Sequence, residues 1–181
     1  MTDFVSAEAL AAALPEVLAA PRDQGPVRLL CARPKPNERG FPDRLTLTRA
    51  VGVVGDLEGV RPWLVLADGS PDPRNQVSLM SSRVLDLVWR DKNPRNHPGD
   101  NIVCDLDLSH ANLPTGTLVR AGTAVLRVSD EPNEGCAKWK VRMGKAAYDW
   151  TRAHADRRLR GVYCSVEQDG EVGLEDLIMR L

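Results

Sequence analysis

Aromatic residues are scarce in this chain of 181 residues, which has two Phe, two Tyr and four Trp. Its core must therefore be aliphatic, with the tryptophans as the few large pieces. Long apolar runs are also missing: none approaches the ~20 residues that a membrane span needs. The best run, Ala9 to Ala20, is interrupted by Pro15-Glu16 and preceded by Asp3 and Glu8 with no basic residue, which is not a signal-peptide pattern. The four cysteines, Cys31, Cys104, Cys136 and Cys164, include no Cys-x-x-Cys pair and no Cys/His cluster. That spacing speaks against a structural zinc site and a disulfide scaffold, and a reducing cytoplasm is the expected setting. A net charge of -1 gives no global bias toward nucleic acid or membrane. No internal repeat and no linker marks a second domain.

What is present is a segregated charge. From Lys138 to Arg160 eight basic residues face two acidic ones, a local balance of +6 against -7 for the rest of the chain. This basic stretch begins just after Cys136, which sits where the turn-forming segment Ser129–Gly135 gives way to a helical pattern. A thiol at a helix start meets unpaired N–H groups, the positive end of the helix dipole and here Lys138 and Lys140, all of which favour thiolate. A free cysteine is equally often a small buried apolar residue. Local context leaves the two readings even.

The rest of the chain reads as short, mixed elements. Ser6 caps a helix with an apolar face of Leu10, Leu14, Val17 and Leu18, kinked at Pro15 and stopped by Pro21. Strands are expected at Val27–Ala32, Leu45–Ala50, Trp63–Ala67, Gln76–Met80 and Ile102–Cys104, with a short helix after Ser81 or Ser82. Thr117 to Val128 forms a hairpin around Ala121-Gly122, and Gly161–Val166 with Glu171–Leu174 a second around Gln168-Asp169-Gly170. Between them, Trp139, Met143, Ala146, Ala147, Trp150 and Ala153 recur at helical spacing, so one helix carries both tryptophans inward despite Gly144. The sum is mainly β, a barrel-like sheet with a few short α-helices. Residues 1–25 form a helical appendage and 26–181 the main domain. Cys31, Cys104 and Cys164 fall in apolar strand patterns and read as core, and His97, between Asn96 and Pro98 in a loop, as a surface histidine. Asp56, Arg74 and Asn101 lie at loop ends, where ligands are commonly placed and where turn chemistry alone also explains them.

Several motifs, in order, resemble the MOSC domain, the module named after the C-terminal part of molybdenum cofactor sulfurase. They are Gly55-Asp56, Arg74-Asn75-Gln76-Val77-Ser78-Leu79, His97-Pro98-Gly99-Asp100-Asn101-Ile102, and Leu113-Pro114-Thr115-Gly116 leading through a hairpin to Cys136 with Lys138 close behind. Arg160-Gly161-Val162-Tyr163 and Gly170-Glu171-Val172 are similar to the family's closing strands. The likeness spans about residues 26–175 and implies a β-barrel like that of pyruvate kinase. It also implies a tie to molybdenum cofactor (molybdopterin), with Cys136 carrying sulfur as a persulfide or ligating molybdenum. On that basis Lys138, Asp56, Arg74 and Asn101 are candidate cofactor contacts, and Arg157 and Arg158 candidates for the pterin phosphate. A sulfur donor protein or a redox partner is the implied company, without nucleic acid, membrane or a PLP site. The implied activities are sulfur transfer or reduction of N-hydroxylated compounds. The alternative is a non-catalytic module of the same fold that holds an anionic ligand or a protein, with Cys136 buried.

Overall fold

A computed structural model describes residues 4–59 and 61–181. In chain order its elements are α1 (Ala7–Leu18), β1 (Gln24–Leu30), β2 (Arg44–Thr48), β3 (Gly52–Val53), β4 (Val77–Ser81), α2 (Ser82–Val88), β5 (Ile102–Cys104), β6 (Leu118–Ala121), β7 (Ala124–Val128), α3 (Ala137–Met143), α4 (Lys145–Ala153), β8 (Val162–Gln168), β9 (Gly170–Gly173) and β10 (Leu177–Arg180). Seven strands close into a barrel in the order β1-β10-β6-β7-β8-β4-β5, with β5 pairing back to β1. Only the β4–β5 pairing in it is parallel. A second sheet of three strands runs β3-β2-β9. The fold is mainly β, as the sequence pattern implies.

Successive side chains of a strand point to opposite faces, and this splits the core in two. Leu79, Ile102, Val119, Leu126, Cys164 and Ile178 belong to the aliphatic cluster of the barrel. Met80 and Val103, their neighbours on β4 and β5, join a second cluster with Leu10, Val17, Leu85, Trp139, Met143 and Trp150 from the helices. β4 and β5 are thus buried on both faces, and the helices cover one side of the barrel. Ser6 caps α1 by accepting from the Ala9 N–H at 3.2 Å, and Leu10 and Val17 face inward while Leu18 is 42% exposed. The buried stripe of α1 therefore stops short of Leu18.

Three elements differ from the sequence pattern. Trp63–Ala67 is not a strand: the segment makes only an isolated bridge, Val65 to Pro71, and Trp63, Val65 and Leu66 stay exposed. Its apolar residues have no neighbouring strand to pair with. The single helix expected after Cys136 is two, α3 and α4, broken at Gly144 with φ 88° and ψ 160°. A Cβ at Gly144 would also lie 2.8 Å from Phe4 Cγ, so both backbone and packing require glycine there. Finally, β8 and β9 do not form a hairpin. β8 lies between β7 and β4 in the barrel, whereas β9 crosses to β2 in the other sheet. Gly170 makes the crossing possible, because a Cβ there would sit 2.5 Å from the Ala124 nitrogen. The last strand, β10, was not legible in the sequence and closes the barrel between β1 and β6.

Gly144→Ala is expected to destabilise the domain by about 2 kcal/mol, since residues forced into such a glycine-only region carry strain of that order. Urea unfolding at neutral pH measures it. An unchanged midpoint would mean that α3 and α4 can fuse without cost.

Candidate functional site

A polar cluster forms where β1 ends and β4 and β5 begin. Asn101, just before β5, is buried, and its side chain is fully engaged. Its Oδ1 accepts from the Ser78 N–H at 3.0 Å and the Ser78 hydroxyl at 3.1 Å, and its Nδ2 donates to the Cys31 carbonyl and to Asp56 Oδ2, both at 3.2 Å. Asp56 is buried as well. It accepts from the Arg33 backbone N–H at 2.8 Å, from Arg33 Nε and Nη2 at 3.1 and 2.8 Å, and from the Glu58 N–H at 2.9 Å. The structure therefore brings Asp56 and Asn101 together, with Arg33 as the partner that the motifs do not reveal. Both side chains have their polar atoms satisfied by the protein itself.

A second buried pair lies alongside. Arg160 Nη1 donates to Asp100 Oδ1 and Oδ2 at 2.7 and 2.9 Å, and the Arg160 guanidinium lies 5.5 Å over the Trp139 ring. Nε of Arg160 is buried without a partner. Next to this pair sits His97, which the loop pattern placed on the surface and which is completely buried. Two aromatic rings account for the difference: Phe41 and Trp89 meet His97 edge-on, with centroids 5.2 and 4.9 Å away. His97 Nδ1 accepts from the Gly99 N–H at 3.1 Å, while Nε2 has no partner. Burial pushes the imidazole down to about 4, with Asp100 opposing and Arg39, Arg160 and Arg142 assisting.

Cys136 sits at the entrance to α3 in extended backbone, and it is exposed, whereas Cys31, Cys104 and Cys164 are buried. Burial raises Cys31 and Cys104 to about 12 and Cys164 further still, so these three are inert thiols. The preceding Gly135 lies against the same residues as the polar cluster: a Cβ there would be 3.5 Å from the Trp139 ring and 3.7 Å from Arg160 Cδ. Arg74 is held by Asp72 at 2.7 Å and reaches Asp130 at 3.4 Å and Glu131 at 3.6 Å. It thereby ties the loop before Cys136 to the barrel. Lys138 is exposed on α3 and makes no hydrogen bond or ion pair among the described residues.

The two arginines that the resemblance makes phosphate candidates have partners within the protein. Arg157 is exposed and pairs with Asp156 at 3.1 Å, and Arg158, in left-handed backbone, donates to the Leu113 carbonyl at 2.6 Å. Arg158 and Arg160 line a cleft of about 360 Å³ under the Ser129–Glu134 loop, opposite Asp130 and Glu131, and Cys136 is not part of its wall. Among the described residues, no three His, Cys, Asp or Glu side chains gather so that they could hold a metal ion. Asp100 and Arg160 lie within motifs quoted from the sequence but were given no site role there, while Arg33 and Arg39 carry no local signal.

The class of protein is a closed β-barrel domain with one solvent-facing thiol, whose neighbour Gly135 lies against the buried Arg160 side chain. The MOSC domain pattern matches residues 68–179, more than half of the sequence, and the chain belongs to that family, which relates to molybdenum cofactor sulfurase-like proteins. No curated protein matches it. Among solved structures it is similar to YuaD from Bacillus subtilis, with TM-score 0.62 and 20% identity over 86% of this chain and 94% of that one. It is also similar to YiiM from Escherichia coli (TM-score 0.55, 20% identity, 87% and 69% of the two chains) and from Geobacillus stearothermophilus (0.56, 16%, 87% and 75%). At these identities the likeness is one of fold. No helix among the described residues is long and apolar enough to cross a membrane.

Proposed function

We propose that this chain binds molybdenum cofactor, or carries sulfur for it, through Cys136. The observation that supports this reading is selective exposure: of four thiols only Cys136 meets solvent. Its loop is tied down by Arg74, and its neighbour Gly135 touches the Arg160 and Trp139 side chains. The donor set fits a metal that arrives with its other ligands in place, since one thiolate is offered and no protein cluster could hold a bare ion. The Nε of Arg160, whose side chain touches Gly135, is buried without a partner in the protein. When bound, the cofactor would supply the redox chemistry of its metal.

The protein's own contribution is to present and surround the thiolate. As a sulfur carrier, Cys136 would attack the outer sulfur of a donor persulfide, keep that sulfur as its own persulfide and release the donor's thiolate. Exposure at the start of α3 gives a donor or redox partner access. Lys138 would attract the anionic ligand, and Asp56 and Asn101 would act by holding Arg33 and the ends of β4 and β5 rather than by touching the ligand. A reducing cytoplasm suits four unpaired thiols.

The test is purification from cells that make the cofactor, with molybdenum and labile sulfur measured on wild type and Cys136→Ser. Wild type is expected to carry one or the other, and the serine variant neither. A wild-type protein free of both overturns the reading.

A further inference from the structure

The helix that follows Cys136 carries positive charge and no acid. In α3, Ala-Lys-Trp-Lys-Val-Arg-Met, Trp139 and Met143 are buried, while Ala137, Lys138, Lys140 and Val141 are exposed. The acids to either side already have partners. Arg74 takes Asp130 and Glu131 at 3.4 and 3.6 Å, Arg152 takes Glu134 at 2.8 Å, and Lys145 takes Asp149. Lys138 has no hydrogen bond or ion pair among the described residues, and Lys140 has only the Tyr148 ring, 5.4 Å away. Unmatched positive charge thus stands within about one helical turn of the thiol.

An apolar side chain occupies the middle of this face. At about 3.6 residues per turn, Val141 lies opposite Trp139 and Met143, flanked by Ala137, Lys138 and Lys140. It is 76% exposed, the most of any large apolar residue among those described. Phe4, 43% exposed, packs against Gly144 at the end of the same helix. A solvated helix surface ordinarily carries matched charges four residues apart, as α4 does with Lys145 and Asp149, and a β-branched residue gains nothing there. An apolar centre with a charged rim is the anatomy of a protein contact, and lysines without acids specify a partner of opposite sign.

We infer that the outer face of α3 docks an acidic surface of a protein that donates sulfur to Cys136. This rests on the reading of Cys136 as a sulfur carrier. An exposed thiol suits a covalent donor, whose outer persulfide sulfur must come within bonding distance, so the surface around Cys136 is the surface that the donor touches. Cys136 bonds to that sulfur, the donor's S–S bond breaks, and the donor leaves as its thiolate. Lysines beside the thiol raise the rate of encounter with an acidic partner and fix its approach.

The experiment uses cofactor-free, reduced protein and three synthetic peptides. Each peptide has one leucine and one cysteine activated as a mixed disulfide with 2-thiopyridine, and is otherwise rich in Glu, Lys or Gln. The activated disulfide stands in for the donor persulfide, because the thiolate attacks sulfur in both. Attack joins Cys136 to the peptide sulfur and releases pyridine-2-thione, which is followed by its absorbance. Release should vanish in Cys136→Ser, since the other three thiols are buried. At low ionic strength the acidic peptide should react about tenfold faster than the neutral one and the basic peptide more slowly, and high salt should collapse the spread.

Lys138→Glu and Lys140→Glu should each cut the acidic preference about threefold and together erase it. Val141→Ser should slow the acidic peptide by a similar factor with its salt dependence kept. Arg120→Glu reverses one exposed charge on β6, across the barrel from the helix-covered β4 and β5, and should leave the preference unchanged. The ratio of acidic to neutral rates cancels any change in the reactivity of the thiol itself. Equal rates for the three peptides, or a preference that survives the paired lysine reversal, overturn the inference. The exchange needs neither molybdenum nor a bound persulfide, so a chain that purifies with neither can still show the acidic preference, and the two readings fail separately.

Discussion

Arg160→Met should destabilise the domain by about 3–5 kcal/mol, the cost of leaving one member of a buried ion pair alone. The partner left behind is Asp100, whose side chain is 1% exposed and whose two oxygens accept from the same Arg160 nitrogen. Without the guanidinium that carboxylate either stays charged with no counter-ion or takes up a proton, and both cost free energy at neutral pH. Part of the loss is packing, because the arginine also covers the Trp139 ring. The double variant Asp100→Asn with Arg160→Met separates the two contributions. It should recover much of the loss, since an apolar or neutral replacement of both partners is often close to neutral. Urea unfolding of the three proteins at pH 7.5 decides it. If the double variant is as unstable as Arg160→Met alone, the pair matters through packing and not through charge.

Acid should weaken the fold through His97 by about 3 kcal/mol between pH 7.5 and pH 4, from one depressed imidazole. The histidine is held neutral down to about 4 by burial, against an ordinary value of 6.5. The unfolded chain therefore takes up a proton as pH falls through 6.5, while the folded chain does not until the pH nears 4. Stability from this group is complete above the unfolded value and is lost through that window on acidification. Asp100 facing the ring works against the depression, and Arg39, Arg160 and Arg142 work with it. Carboxylates titrate over part of the same range, so the useful quantity is the difference between wild type and His97→Gln. That difference should shrink by about 3 kcal/mol on going to pH 4. A difference that stays constant with pH would show that His97 is protonated in the folded protein at ordinary values.

Much of the architecture can be read directly from the chain. Alternation in Leu45 to Leu47, the apolar runs from Val77 and Ile102, and the Ala121-Gly122 turn locate β2, β4, β5 and the β6–β7 hairpin, because these signals are local. The burial of Trp139 and Trp150 likewise follows from helical spacing. The misreadings have a common cause, which is contact between distant segments. Gly144 ends a helix whose periodicity runs straight through it, because Phe4 packs there and the backbone turns. The strands on either side of Asp169 belong to different sheets, because β9 finds its partner in β2, more than a hundred residues earlier.

The candidate site divides in the same way. The sequence by itself singled out Cys136 as the candidate, through motifs whose order leads to it, and the structure leaves it as the exposed thiol of the four. Chemistry that depends on charge balance was decided only in three dimensions. Arg33, Arg39, Asp100 and Arg160 come from segments separated by up to 127 positions, and only closure of the barrel places them together. Burial changes what they are: a loop histidine becomes a neutral core donor, Asp56 and Asn101 become a satisfied pair, and Arg157 and Arg158 turn to other partners. The physical reason is that periodicity and turn chemistry are encoded within a few residues, while desolvation and pairing of charges depend on what the whole fold brings near.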